Sequence, residues 1–316
     1  MSNIIIVENN SEIAAGTRGS SLGLEAIKVA AVNKNEDVFI KYSSINIKNE
    51  NHRVWKNVRN VYAKRIGGVI KIYNRIVEGI VPVLHKGDFP LIISGDHSSA
   101  GGSIAALKLA FPTKRVGVVW IDAHADLHSP YTTPSGNMHG MPLASALAED
   151  NLQQKINKPN KETIEKWDLL KSIGGISPKL LTKDLVFVGV RSVEKPEMAI
   201  IDRYSIPNYT LDELVKKGVD AIASKIFQNL KDTEIIYISF DVDSMDMELS
   251  EGTGTPVKKG LSKEQAIELI KKLLEDKRVK MFEVVEVNPL LDKKGNLMAE
   301  MALEAITEVI NVVEGR

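Results

Sequence analysis

An α/β fold on a doubly wound, mainly parallel sheet with helices on both faces is predicted by three features of the 316-residue sequence. Short runs nearly continuous in Val, Ile and Leu recur along the chain, as strands covered on both faces require. Helix-period segments lie between those runs, and such alternation implies right-handed βαβ units. There is no cysteine while 43% of the residues are hydrophobic, so stability rests on a large core and not on disulfides.

Taken in order, strands are expected at Ile4–Val7, Pro90–Ser94, Val116–Ile121, Leu185–Val190, Ile235–Phe240 and Met281–Val287. Val58, Tyr62, Ile66, Val69, Tyr73, Ile76 and Ile80 recur at three- and four-residue steps and predict a long helix between the first two strands. Leu211, Leu214, Val215, Ile222 and Ile226 predict another, and Ala266, Ile267, Ile270 and Leu274 a third. Thr210 with Glu213, and Ser262 with Gln265, have capping-box spacing at the starts of the last two. Met298 to Val313 gives a final helix. The polar stretch Glu149 to Pro178 reads as a helix with surface excursions, because the strand pattern resumes directly after it. Residues 1–316 are therefore read as one domain.

Charge narrows the function. Forty-one basic residues balance 41 acidic ones, so binding to nucleic acid through bulk charge is not expected. The N-terminus has no basic start and no long apolar stretch, and no run approaches the roughly 18 apolar residues of a membrane span. A cytoplasmic protein with neither a membrane nor a nucleic-acid partner is expected.

Ligands of open α/β sheets bind beyond the carboxyl ends of the strands, and there the sequence is unusual. Ser94-Gly95-Asp96-His97-Ser98, Asp122-Ala123-His124-Ala125-Asp126-Leu127-His128, Asp241-Val242-Asp243 and Glu286-Val287-Asn288-Pro289 each follow a predicted strand. If the strand continues through Asp122-x-His124-x-Asp126, alternation sets all three side chains on one side. Carboxylates gathered so closely repel one another and are costly to desolvate, and a divalent cation removes both penalties. Asp241-x-Asp243 repeats the logic, and His97 can close the set. Two His and four Asp are too many for one tetrahedral zinc. They suit two bridged metals, and the oxygen-rich donor set suits Mn²⁺.

These motifs, with Ser135-Gly136-Asn137-Met138-His139-Gly140 and Gly254-Thr255-Pro256, resemble those of the arginase/ureohydrolase family in order and spacing, from about residue 90 to 290. The resemblance implies an arginase-like three-layer fold and two Mn²⁺ per subunit. It implies hydrolysis of the guanidinium group of L-arginine to urea and L-ornithine by a metal-bridged hydroxide. One metal would take His97, Asp122, Asp126 and Asp241. The other would take Asp122, His124, Asp241 and Asp243. Asp126 would hold the tetrahedral intermediate together with the metals, Glu286 would face the substrate cation with Thr255 as a neutral neighbour, and His139 would shuttle the proton to the leaving amine. Ser135 and Asn137 match the pair that binds the α-carboxylate of arginine. His128 stands where many arginases have Asn, and Glu194 where Asp commonly contacts the α-amino group. A homo-oligomer, trimer or hexamer, is implied by the family.

Other readings fit fewer residues. Hydrolysis of another guanidino acid such as 4-guanidinobutyrate, or of agmatine, would use the same metals. The Gly- and Ser-rich stretch Gly95 to Gly102 has the composition of a phosphate cradle but lacks the P-loop lysine. A two-metal phosphoesterase would want basic residues, and Arg191, in Arg191-Ser192-Val193-Glu194 after the run Leu185–Val190, is the one cation in the segments at these strand ends. A binding protein on an inactive fold would be expected to lack a ligand or the shuttle histidine, and none is missing.

Overall fold

The computed structural model describes residues 3–316. Eight strands form one sheet: β1 Ile4–Asn9, β2 Ser44–Asn46, β3 Phe89–Ser94, β4 Val116–Ile121, β5 Leu185–Val188, β6 Asn208–Tyr209, β7 Ile235–Asp241 and β8 Val279–Val285. Every pairing is parallel, and the spatial order is β2-β1-β3-β8-β7-β4-β5-β6. β3, β4, β5 and β7 are buried along their whole length, which is why their sequences do not alternate.

Helices cover both faces and make two cores. Helices Gly23–Lys34, Val219–Asn229, Lys263–Leu274 and Leu297–Glu314 pack against one face around Ile27, Ile222, Leu269 and Ile306. Helices Ile66–His85, Ala100–Ala110, Pro142–Leu147, Lys161–Lys171 and Lys195–Tyr204 pack against the other around Ile76, Ile104, Leu143, Trp167 and Ile200. The expected doubly wound α/β architecture is present, in three layers. Among the described residues no helix is long and apolar enough to cross a membrane.

Local differences from the sequence reading have physical causes. Val58 and Tyr62 lie outside the long helix, which starts at Ile66 after Arg65 adopts φ 60°. The segment around Leu211 to Ile226 is two helices, Leu211–Lys217 and Val219–Asn229, parted by Gly218 at φ 82°. β5 stops at Val188 because Gly189 turns at φ 83°, and β8 stops at Val285 because Glu286 turns at φ 67°. β2 and β6 are short, polar edge strands that no apolar run announces. The Ser262 capping box forms in both directions: Gln265 N–H donates to Ser262 Oγ at 3.2 Å, and Ser262 N–H to Gln265 Oε1 at 2.9 Å. Thr210 Oγ1 accepts from Glu213 N–H at 3.3 Å.

The topology matters most at the sheet centre. β3, β8, β7 and β4 are neighbours in space, although their sequence order scatters them, and Ile93, Val284, Phe240 and Ile121 share one level of the register. The four acidic and histidine-bearing strand ends thus emerge side by side.

Candidate metal centre and substrate cavity

One local device shapes three of these strand ends. Asp96, Asp122 and Asp241 each accept a hydrogen bond from the backbone N–H two residues on, at Ser98 (3.0 Å), His124 (2.6 Å) and Asp243 (2.9 Å). Such Asx turns bend the chain out of the sheet. Each turn uses one carboxylate oxygen, and for Asp122 and Asp241 it frees the other to face the rim.

The turn at Asp122 corrects the expectation of a continuing strand. β4 ends at Ile121, and Asp126 sits at φ 49°. The side chains reach the same rim through this turn and not through strand alternation. Asp122 Oδ2 and Asp126 Oδ2 point at His97 Nδ1, at 3.1 and 3.2 Å, while His124 Nδ1 turns to Asp243 Oδ2 at 3.0 Å. Asp241 Oδ2 also faces His97 Nδ1, at 3.2 Å.

Two donor groups result: His97, Asp122 and Asp241 form one, and Asp122, His124 and Asp243 the other, with Asp122 common to both. His97 Nδ1 and Asp122 Oδ2 are buried and make no hydrogen bond. Buried polar atoms are otherwise nearly always bonded, so these two mark a place for a cation. Their neighbours hold them still. His97 Nε2 is 2.8 Å from Ser239 Oγ, and its ring stacks on Trp120 with centroids 4.1 Å apart. Asp243 Oδ1 accepts from Ala123 N–H at 3.1 Å, and its Oδ2 from Thr255 Oγ1 at 3.0 Å.

The electrostatics fit the same conclusion. Burial and the neighbouring Asp243 and Asp122 push the Asp241 carboxyl well above the usual carboxylate range. Burial and Asp122 push Asp126 up to about 6. Burial opposes a charge on His97, yet Asp122, Asp126 and Asp241 outweigh it and raise this imidazole well above its ordinary value. Against its burial, Asp122 alone is held below the usual carboxylate range, by His124 and His97, so the cluster crowds more carboxylates together than its imidazoles offset. Dications suit this set of hard oxygen and imidazole donors and displace the protons.

Above the cluster lies a cavity of about 240 Å³. Of the predicted residues, His97, His124, Asp126, His128, Ser135, Asn137, His139, Glu194, Asp241 and Thr255 line it. Asp122 and Asp243 are buried and do not line it. Glu286 is buried behind His139: its Oε1 accepts from His97 N–H at 2.9 Å and lies 3.4 Å from His139 Nδ1. Burial opposes a charge on His139, but Glu286 raises its pKa above the ordinary value. Thr255 bonds Asp243 and thereby touches the donor cluster. The glycines of the Gly95 to Gly102 stretch serve packing: a Cβ on Gly101 would lie 2.1 Å from the Tyr73 hydroxyl.

Sequence reasoning missed Glu197. It lines the cavity and forms a reciprocal cap with Glu194 at the start of helix Lys195–Tyr204, accepting from Glu194 N–H at 3.1 Å. Its signal was the spacing Glu194-x-x-Glu197. Burial pushes its carboxyl up to about 7. His128 Nε2 lies 3.5 Å from Glu194 Oε2 and 3.6 Å from Glu197 Oε2.

Comparison with known proteins finds relatives along nearly the whole chain. A family model described as the arginase family matches residues 3–311. An arginase of Bacillus caldovelox is 33% identical over 241 residues, covering 76% of this chain and 74% of that protein. An arginase of Brevibacillus brevis is 29% identical over 97% of both chains. The native structure of the Bacillus caldovelox arginase superposes with a TM-score of 0.81 at 29% identity, covering 98% of each chain.

Proposed function

We infer that this chain, which belongs to the arginase family, hydrolyses the guanidinium group of L-arginine to urea and L-ornithine with two Mn²⁺ per subunit. The family is one of metal-dependent amidinohydrolases, and this chain is such an enzyme. The observation that carries the finer reading is the pair of donor groups sharing Asp122, with His97 Nδ1 and Asp122 Oδ2 buried and making no hydrogen bond. His97, Asp122, Asp126 and Asp241 would hold one ion, and Asp122, His124, Asp241 and Asp243 the other. When bound, the pair supplies Lewis acidity that makes water nucleophilic near neutral pH.

The protein's own groups divide the remaining work. A guanidinium is resonance-stabilised, so it must be held close and its leaving amine protonated. Asp126 and Glu286 supply negative charge around the cation. His139, charged more readily because of Glu286, holds a proton within reach of the cavity for the departing amine. Ser135 and Asn137 offer hydrogen bonds to the α-carboxylate, and Glu194 offers a carboxylate to the α-amino group. We take residues 1–316 as one ureohydrolase-like domain of a cytoplasmic homo-oligomer, a trimer or hexamer.

One observation favours a second substrate. His128 stands between Glu194 and Glu197 at the end of the cavity where an α-amino group would sit. A guanidino acid without that group, such as 4-guanidinobutyrate, would avoid the competition; agmatine is the further alternative. A phosphoesterase is disfavoured because Arg191 is engaged with main-chain carbonyls, among them Asp243 at 3.0 Å and Val257 at 2.9 Å. The deciding experiment measures urea from L-arginine, 4-guanidinobutyrate and agmatine with the Mn²⁺-loaded protein. Highest kcat/KM on L-arginine is the expected result, and a preference for a substrate lacking the α-amino group would overturn the assignment.

A further inference from the structure

We propose that Lys64 is a specificity-determining residue that selects guanidino substrates bearing a carboxylate, an inference that rests on the cavity assignment above. Lys64 Nζ lies 3.1 Å from Asn137 Oδ1. An ammonium group only donates, so the amide oxygen of Asn137 must be the atom facing it. That fixes the side-chain flip and leaves the Nδ2–H groups as the donors Asn137 can present to an anion. Asn137 N–H donates in turn to Ser135 Oγ at 3.1 Å, joining the two cavity residues into one unit.

The backbone holds Lys64 in place. Its N–H donates to Gly136 O at 2.8 Å. Gly136 adopts φ 73°, and a Cβ there would lie 1.8 Å from Val61 O. Only glycine lets the segment around Val61 lie so tightly across the cavity loop, so Lys64 sits on a fixed strap and not on a free coil.

The charge on Lys64 is also uncommitted. Among the described residues no carboxylate comes within 4.0 Å of its ammonium. Nearby arginines are engaged elsewhere: Arg18 donates to Glu12 O and Ala15 O, both at 2.5 Å, and Arg65 Nη1 to Ile13 O at 3.2 Å. Lys64 is thus a cation bonded to a cavity-lining amide and lacking a partner of its own. A carboxylate bound by Ser135 and Asn137 would complete the arrangement, whereas a substrate without one would leave it open.

The test compares Mn²⁺-loaded wild type with Lys64→Met and Lys64→Arg. For Lys64→Met, KM for L-arginine and 4-guanidinobutyrate is expected to rise about tenfold, with kcat within about a factor of two and agmatine kinetics little changed. Lys64→Arg keeps the charge and is expected to restore most of the loss. Equal losses on agmatine, or an unchanged KM for L-arginine, would overturn the inference. Calorimetric titration with L-ornithine and with 1,4-diaminobutane asks the same question without turnover. About tenfold weaker ornithine binding in Lys64→Met, with the diamine unaffected, supports the role; equal change in both or in neither refutes it. Absence of urea from every guanidino substrate in the wild type would sink the proposed function, and the titrations would still decide the part played by Lys64.

Discussion

Buried acids occur at both ends of the central strands and meet opposite company. At the amino ends the chain supplies the cations. Asp184, fully buried before β5, receives Arg115 Nε and Nη2 at 2.6 Å each, and Arg278 Nη2 pairs with the half-buried Asp276 at 2.7 Å just before β8. At the carboxyl ends Asp122, Asp126, Asp241 and Asp243 meet imidazoles and one another, and among the described residues no Lys or Arg side chain pairs with them. Both ends belong to the same sheet and bury the same chemistry. One end is electrostatically complete as folded; the other becomes complete only with ions from outside.

Breaking the incomplete end should have the largest effect. Asp241→Ala is expected to strip bound metal and lower urea release roughly a thousandfold or more; elemental analysis retaining two ions per chain would remove Asp241 from the centre. His139→Ala should act on the proton and not on the metal. Turnover is expected to fall about a hundredfold with metal content unchanged, and loss of metal in that variant would contradict a shuttle role.

The complete end responds differently. Arg115→Met leaves Asp184 without its partner and should cost about 2 kcal/mol of folding stability, since the arginine is partly exposed. Denaturant melts would show this, while kcat of the folded protein stays near wild type. A drop in metal affinity instead would blur the contrast between the two ends.

The smallest effect concerns Glu197, which is buried at the cavity with backbone donors and no cation. Its carboxyl is raised from 4.5 to about 7, with burial the main cause. Between those values the folded chain keeps a proton the unfolded chain has lost, so stability falls as pH rises through that window. Relative to wild type, Glu197→Gln should gain about 1 kcal/mol per pH unit between about pH 4.5 and about pH 7. A difference that stays flat with pH would show Glu197 ionised throughout.

Strands β3, β4 and β7 could be read directly because double burial writes itself as unbroken Val, Ile and Leu. β2 and β6 could not, since three and two residues at a sheet edge bury too little to leave a pattern. The helix around Leu211 hid its break because Leu214 and Ile222 stay in phase across Gly218. Among site residues, His97, His124 and their aspartates stood out by density. Glu197 did not, because a glutamate three residues after another looks like an ordinary helix start, and here it is one as well as a wall of the cavity.

What the sequence alone determined is the inventory: hard donors at four strand ends, in numbers that no set of turns and caps requires. Which of these donors come together was decided by tertiary structure. Asp122 and His124 are two residues apart, and the Asx turn between them points Asp122 Oδ2 at His97 while His124 Nδ1 faces Asp243. His97 and Asp241 are 144 residues apart in a 316-residue chain, yet β3 and β7 flank β8 and bring them within 3.2 Å. Local pattern fixes which atoms are available, but convergence depends on the order in which strands cross the sheet, and that order is a property of the packed whole.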